Sequence, residues 1–223
     1  MMAVVTVDFD GTLYQGNSFK IMFQVAKKEF TWKEWLNVGQ GLVKSIVVRI
    51  TMGKEAFRHS FFKTFAKSFK GKTKNELEEF FERLVQEGID EVHHDLVSKI
   101  RQHQADGDQI VLLSGALQPF LYAFKKELKL DVDVISTELI FDQNGRCTGE
   151  IGTIVNGDEK VRRIVDWLSV NATLTSDDSK VNIWAYADSE SDLPLLEFVS
   201  HPIVVNPDEN MKQIAKNNHW PVF

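Results

Sequence analysis

Two carboxylates directly follow a short apolar run near the start of the chain. Residues 3–7 read Ala-Val-Val-Thr-Val, and Asp8 and Asp10 come next. A β-branched run of this length predicts a strand buried on both faces, and open α/β sheets bind their ligands where such strands end. Two acids in a water-poor cleft repel each other unless a cation or a proton compensates them. The pair therefore predicts a divalent metal site, with one carboxylate left for chemistry.

Three further segments bring polar groups to the same kind of position. Ser114 and Gly115 follow an apolar run and offer a hydroxyl and backbone amides suited to phosphate. Lys160 falls in the first turn of a predicted helix, where a cation opposes the helix dipole and a functional reason is expected. Asp188 and Asp192 follow another apolar run. Each signal has a commonplace explanation by itself, such as a turn, a helix cap or a solvated lysine, but the ordered set is specific.

The elements that must position these groups alternate along the chain. Apolar runs predict strands over residues 3–7, 109–113, 132–136, 181–187 and 202–205. Helical patterns cover residues 92–104, 119–130, 159–168, 193–199 and 208–217. Strands and helices in this alternation predict the α/β class, with a doubly wound parallel sheet and helices on both faces.

Two stretches depart from this alternation. Between about residues 17 and 91 no strand run appears, and Phe57, Phe61, Phe62, Phe65 and Phe69 recur at helical spacing. We predict an inserted all-helical cap domain over 16–91 and a core domain formed by 1–15 and 92–223. Residues 139–154 carry the turn sequence Asp-Gln-Asn-Gly between short alternating segments and predict a small β-hairpin.

The composition narrows the function classes. The chain has 223 residues and a net charge of -6, which argues against nucleic acid as the main partner. A single cysteine, Cys147, permits no intramolecular disulfide and fits a reducing compartment. We see no signal peptide and no uncharged apolar run of the roughly 18 residues that a membrane span needs. These features predict a cytoplasmic protein, and its oligomeric state stays open.

The motifs together resemble those of the haloacid dehalogenase (HAD) superfamily of phosphohydrolases. Residues 8–13, Asp-Phe-Asp-Gly-Thr-Leu, resemble the first motif, Ser114 the second, Lys160 the third, and Asp188 with Asp192 the fourth. The fourth motif usually has glycine before its first Asp, where this chain has Ala187. The helical insertion after the first motif resembles a type 1 cap, and the predicted hairpin resembles the phosphoserine-phosphatase-like branch, subfamily IB. The resemblance implies a HAD-like Rossmannoid core.

The resemblance also implies a role for each residue. Asp8 would be the nucleophile that forms an aspartyl-phosphate, and Asp10 the general acid and then base. Mg²⁺ would bind the Asp8 carboxylate, the Asp10 backbone carbonyl and Asp188. Asp192 would orient metal-bound water or Lys160 from outside the ligand shell. The groups implied to hold the phosphoryl oxygens are Thr12, Ser114, Gly115 and Lys160.

The resulting prediction is a Mg²⁺-dependent phosphomonoesterase acting on a small organic phosphate ester. A phosphotransferase or mutase using the same intermediate is the alternative enzyme, and a non-catalytic phosphate-ligand sensor is the alternative of another class. Asn17 occupies the place where enzymes that hydrolyse phosphoserine carry a glutamate, which disfavours that substrate. Residues 20–74 contain 13 Lys and Arg against 3 Asp and Glu. This basic region could attract anionic substrates, could touch anionic lipid through Trp32, Trp35 and the apolar stretch 42–50, or could simply be a solvated face.

Overall fold

A five-stranded parallel sheet forms the centre of the protein. The computed structural model describes residues 2–32, 35, 60–171 and 182–223. The described strands are β1 Val4–Val7, β2 Gln109–Leu117, β3 Asp133–Thr137, β4 Leu139–Phe141, β5 Cys147–Ile151, β6 Ile183–Ala187 and β7 His201–Val204. The strand order in the sheet is β3-β2-β1-β6-β7, so β1 is central. The strands that follow it are added first on one side of β1 and later on the other.

Helices cover both faces of this sheet. They are α1 Ser18–Glu29, α2 over residues 60–68, α3 Lys74–Gly88, α4 His94–Ala105, α5 Gln118–Glu127, α6 Asp158–Val170, α7 Leu193–Phe198 and α8 Glu209–Asn218. Successive residues of β1 serve opposite layers, because Val5 and Val7 pack with α1–α5 whereas Val4 packs with α6–α8. The predicted α/β class with a doubly wound parallel sheet is confirmed. No helix in the ranges just given is long and apolar enough to cross a membrane.

Most predicted element boundaries are right to within one to three residues, and β2 is the main exception. The predicted strand stops at residue 113, whereas β2 continues to Leu117. The extension depends on tertiary pairing: the register with β3 shifts between Ser114 and Leu117, and Leu117 then pairs with Thr137. The Thr137 hydroxyl donates a hydrogen bond to the Gly115 carbonyl (2.8 Å) across this irregularity. For the strand predicted over 181–187, residue 181 lies outside the described residues.

The described residues between 16 and 91 contain helices and one 3₁₀ turn, and no strand of the kind that builds the sheet. Phe61, Phe62, Phe65 and Phe69 of the predicted stripe are buried, and Phe57 lies outside the described residues. Helix α3 packs against α5 of the sheet layer, where the rings of Phe81 and Phe120 are 6.2 Å apart. One hydrophobic cluster therefore runs from these helices into the sheet layer. The predicted division into cap and core domains stays a prediction.

The region suggested for lipid contact is described only in part. The apolar stretch 42–50 lies outside the described residues. Trp35 packs on the rings of Phe23 and Phe30, with 5.4 Å and 6.1 Å between ring centroids, as expected for a core side chain. Trp32 is 68 % exposed. The two tryptophans therefore differ in their surroundings, since Trp35 packs on other rings and Trp32 is exposed. Lipid contact remains a prediction.

The predicted hairpin is present as the antiparallel pair β4–β5. The Asp142 carboxylate accepts hydrogen bonds from the backbone amides of Asn144 and Arg146, both 2.9 Å, and this fixes the turn. The hairpin is also attached to the loop between α2 and α3. Gly71 N donates to Cys147 O (2.8 Å), and Cys147 N donates to Lys72 O (2.8 Å). This contact ties the helical insertion to the hairpin.

The two connections between the sheet and the insertion run side by side. Gln15 N donates to Glu91 O (2.8 Å), and the chain pairs Tyr14 with Val92 in an antiparallel bridge. The buried Tyr14 ring stacks on Phe9, with 5.5 Å between centroids. Gly16 leaves room for it, since a Cβ there would lie 2.5 Å from Tyr14 Cζ and 2.2 Å from a Glu91 carboxylate oxygen.

We predict that Gly16→Ala destabilises the protein by about 1–3 kcal/mol, because the added methyl overpacks a buried ring that cannot move aside freely. Gly152→Ala is the matched control, since the nearest atom to a Cβ there is 3.8 Å away. Urea unfolding of both variants measures the difference. Equal free energies of unfolding for the two variants would contradict this account of the connection.

Candidate active site

The acid that leaves β1 is fixed at the centre of the sheet. Asp8 N donates to Tyr186 O of β6 (2.9 Å), and β1 and β6 pair in register up to Val7 and Tyr186. Asp8 and Asp188 therefore emerge from neighbouring strands at the same edge of the sheet. The strand order changes direction here, which is where open α/β sheets form a ligand crevice. The fold thus brings the first and fourth predicted segments together.

Lys160 joins two of the acids in this crevice. Gly157, with φ 55°, precedes α6 and allows the turn that starts the helix, and Lys160 follows in its first turn. The side chain is 1 % exposed, and its Nζ donates to Asp8 Oδ1 (2.6 Å) and to Asp192 Oδ1 (2.5 Å). Burial alone would lower the pKa of Lys160, but the charges of Asp192 and Asp8 together raise it. The lysine is held as a cation.

Asp188 completes the acidic cluster. Each of the three carboxylates of Asp8, Asp188 and Asp192 offers an oxygen, and these oxygens lie within 4.8 Å of one another. The Thr12 hydroxyl donates to Asp188 Oδ1 (3.3 Å). The loop passes so close that a Cβ on Gly11 would lie 2.1 Å from Asp188 Oδ2, which explains the glycine, whose φ is +84°.

The charges in this cluster do not balance. Burial raises the pKa of Asp8 to about 6, despite the opposing charge of Lys160. Burial, together with the charges of Asp8 and Asp192, raises the pKa of Asp188 to about 8. The ammonium group of Lys160 is the one cation described among the three carboxylates of Asp8, Asp188 and Asp192. Clustered carboxylate oxygens with excess negative charge are the donor set that a hard divalent cation such as Mg²⁺ prefers, so the residues fit such an ion.

The Asp10 carboxylate is bound by Ser18 rather than by Lys160. Its Oδ1 accepts a hydrogen bond from Ser18 N (2.7 Å) and its Oδ2 accepts one from Ser18 Oγ (2.6 Å). Ser18 is the first residue of α1, and Asn17 caps that helix by accepting from the amides of Phe19 and Lys20. The two acids that follow β1 are thus held by different means, Asp8 by a lysine and Asp10 by the N-terminus of a helix.

The second predicted segment lies one strand away from Asp8. Ser114 is buried inside β2 rather than beyond its end, and its Oγ accepts a hydrogen bond from Ala116 N (3.3 Å). Gly115 follows it, and a Cβ there would lie 3.4 Å from the Val155 carbonyl oxygen. Ser136 pairs with Ser114 across the β2–β3 ladder. Phosphate binding by Ser114 and Gly115 stays a prediction.

A sequence model of the family described as haloacid dehalogenase-like hydrolase matches residues 5–197. The chain belongs to the haloacid dehalogenase-like hydrolase family. The predicted resemblance to this superfamily is confirmed. The match includes all the residues that the sequence assigned to the site, from Asp8 to Asp192.

Relatives of this HAD hydrolase include proteins named as phosphatases. It is 34 % identical to a histidinol-phosphatase of Neisseria meningitidis serogroup C (strain 8013) over 125 residues, which are 56 % of this chain and 55 % of that protein. The chain spans about half the length of the curated relatives it matches.

Solved structures share the fold of this HAD hydrolase. A Bordetella pertussis Tohama I protein of unknown function has a TM-score of 0.80 at 22 % identity, covering 100 % of this chain and 99 % of its own. A Vibrio cholerae protein named a probable phosphoserine phosphatase has a TM-score of 0.67 at 16 % identity, covering 96 % of this chain and 58 % of its own. At these identities the likeness concerns the fold.

Sequence reasoning missed two serines of the candidate site. Ser18 holds Asp10, and Ser189 Oγ donates to Asp192 Oδ2 (2.9 Å). A serine just after an asparagine is a common pattern at helix starts, so nothing in it pointed to Asp10. Ser189 follows Asp188 directly. Its position among acids after a predicted strand was the one sequence feature that could have indicated a role in the site.

We predict that Lys160→Met destabilises the metal-free protein by about 3–5 kcal/mol, because it leaves Asp8 and Asp192 buried without a counter-charge. Lys212→Met is the control, since Lys212 forms an exposed ion pair with Glu209 and should contribute less than about 1 kcal/mol. Thermal and urea unfolding in the presence of a chelator give both values. If the two lysines proved equally dispensable, the buried ion pairs would not hold the site together.

Proposed function

We propose that this HAD hydrolase is a phosphomonoesterase that uses Mg²⁺ and forms an aspartyl-phosphate on Asp8. The observation that carries the proposal is the contact of Asp8 with Lys160 inside a cluster of three buried or half-buried acids. A carboxylate can attack an anionic phosphate ester only if nearby positive charge offsets their repulsion. The lysine and a divalent cation would together supply that charge.

The reaction divides into two displacements. One Asp8 carboxylate oxygen attacks phosphorus, the bond from phosphorus to the ester oxygen breaks, and protonated Asp10 gives its proton to the departing oxygen. Asp10 then takes a proton from a water molecule, whose oxygen attacks phosphorus and displaces Asp8. The second step restores both acids and releases inorganic phosphate, so one residue acts first as acid and then as base.

Other residues bind and orient. Mg²⁺ would be held by the Asp8 carboxylate, the Asp10 backbone carbonyl and Asp188, and it would supply charge neutralisation at the transferred phosphoryl group. Asp192 and Ser189 would keep Lys160 in place. The remaining phosphoryl oxygens would be bound by Lys160, the Ser114 hydroxyl, the Gly115 amide and Thr12.

We propose further that the helices of residues 16–91 form a cap over the strand ends. Supporting this are the paired connections at Gln15 and Glu91 and the close packing around Gly16. A cap in contact with the crevice would limit the water that reaches the aspartyl-phosphate.

One residue near the site bears on which phosphate ester is the natural substrate. Asn17 stands where a glutamate would hold a substrate ammonium group, and its side-chain oxygen already caps α1. Phosphoserine is therefore disfavoured. Histidinol phosphate is a reasoned first candidate for a substrate screen because of the name of the Neisseria relative.

The test of activity uses 4-nitrophenyl phosphate with purified protein. We expect hydrolysis with Mg²⁺, loss of hydrolysis with EDTA, and a drop of at least about a thousandfold in kcat for Asp8→Asn, because the attacking group is removed. Asp142→Asn is the matched control, since Asp142 lies in the exposed hairpin turn. Hydrolysis that persists in Asp8→Asn would exclude Asp8 as the nucleophile.

The alternative functions give different results in the same assay. With a small alcohol as acceptor, a phosphotransferase would form a new ester, whereas the proposed phosphatase forms inorganic phosphate. A non-catalytic sensor would bind phosphate esters without any turnover. Quantifying both products by ³¹P NMR distinguishes the three cases.

The metal site has a test that does not depend on turnover. Because the pKa of Asp188 is raised from 3.8 to about 8, its ionisation opposes folding, and in chelator the stability of the protein should fall as pH rises between these values. Asp188→Asn should remove part of this fall. Mg²⁺ should raise the Tm of the wild type at pH 7.5 and leave the Tm of Asp188→Asn nearly unchanged. An equal rise in both proteins would place the ion elsewhere.

A further inference from the structure

Ser18 holds both oxygens of one carboxylate. It is 1 % exposed, and its backbone amide and its hydroxyl donate to Asp10 Oδ1 and Oδ2 at 2.7 Å and 2.6 Å. Asp10 is itself only 8 % exposed. A carboxylate with both oxygens bound to one buried residue has little freedom to rotate about its Cβ–Cγ bond.

We propose that Ser18 is the positioning residue that orients Asp10 for proton transfer to the leaving oxygen. The inference rests on the proposed function, in which Asp10 is the acid and then the base. It goes beyond that function by assigning control of the proton transfer to a residue of α1, outside the segments that resemble the HAD motifs.

The chemistry of a hydroxyl suits this role. The Ser18 backbone amide can only donate, so it serves the carboxylate in the same way throughout. The Ser18 hydroxyl can donate to ionised Asp10 or accept from protonated Asp10. Asp10 must pass through both states in each turnover, and this partner can follow the change by rotating one O–H bond. The substitution Ser18→Ala would keep the hydrogen bond from the backbone amide and remove the one from the hydroxyl.

Local structure keeps Ser18 in place. Asn17 accepts hydrogen bonds from the next two amides and so fixes the first turn of α1. The free amides of a helix N-terminus favour a negative charge beside them, and Ser18 contributes one of these amides to Asp10. The orientation of the carboxylate is therefore set by α1, while the peptide of Asp10 belongs to the loop after β1.

The test compares two esters that differ in the acidity of their leaving group. Phenyl phosphate releases a weaker acid than 4-nitrophenyl phosphate, so its cleavage needs the proton from Asp10 more. The measured quantity is the ratio of kcat/KM for phenyl phosphate to kcat/KM for 4-nitrophenyl phosphate, which reports the first displacement. The variants are Ser18→Ala, Ser18→Cys and Ser18→Thr, with Ser68→Ala as the control. Ser68 is also buried and uses its hydroxyl, which donates to Phe65 O (2.5 Å).

We expect Ser18→Ala and Ser18→Cys to lower this ratio by about tenfold, a part of the 10²–10⁴ that general acid catalysis contributes. Ser18→Thr, which keeps the hydroxyl, should restore the ratio to within about threefold of the wild type. Ser68→Ala should leave the ratio unchanged even if it lowers the Tm. Asp10→Asn should lower the ratio more than Ser18→Ala does.

The possible failures are distinct. An unchanged ratio in Ser18→Ala or Ser18→Cys, with an active wild type, overturns the role of Ser18 and leaves the proposed phosphatase intact. An equal loss for both esters also overturns it, since that result indicates general damage to the crevice. A wild type that hydrolyses neither ester overturns the proposed function and this inference with it.

Discussion

The buried contact of Lys160 with Asp8 and Asp192 is the interaction on which the site depends. Three parts of the chain meet in it: the end of the central strand, the first turn of α6 and the turn after β6. Ions removed from water are stable only when they are paired, so the crevice forms correctly only when all three parts are in place. The same contact leaves the third acid, Asp188, without a cation of its own among the described residues, and this imbalance favours a bound divalent ion.

Much of this arrangement was predictable from the sequence because it depends on local patterns. The β-branched run before Asp8 and the apolar runs before Ser114 and Asp188 indicate strands, and residues after parallel strands share an edge of the sheet. The extension of β2 was not predictable, since it depends on Thr137 of a neighbouring strand meeting the Gly115 carbonyl. Ser18 was missed for a related reason. Its sequence neighbours suggest only a helix cap, and its contact with Asp10 exists only after the chain has turned.

Stability and chemistry make opposite demands at this edge of the sheet. A sequence selected for stability alone would not bury Asp8 and half-bury Asp188 beside each other, because burial opposes the ionisation of both and the charge of Asp8 further opposes that of Asp188. In this HAD hydrolase both acids lie within the residues that the family model matches, on a fold that solved structures share. The tightly packed aromatic cluster beneath the site, which includes Phe9, Tyr14 and Phe120, offsets that cost with apolar burial.

The hydrogen bonds between Cys147 and residues 71–72 limit how the helical insertion can travel. A segment joined to its neighbour by two chain connections can swing about them, but each further attachment restricts that motion. Any swing of α1–α3 must therefore either break the two bonds at Cys147 or carry the β4–β5 hairpin with it. The hairpin continues through residues 152–157 into the turn that begins α6, so such a swing would pull directly on the peptide leading to Lys160.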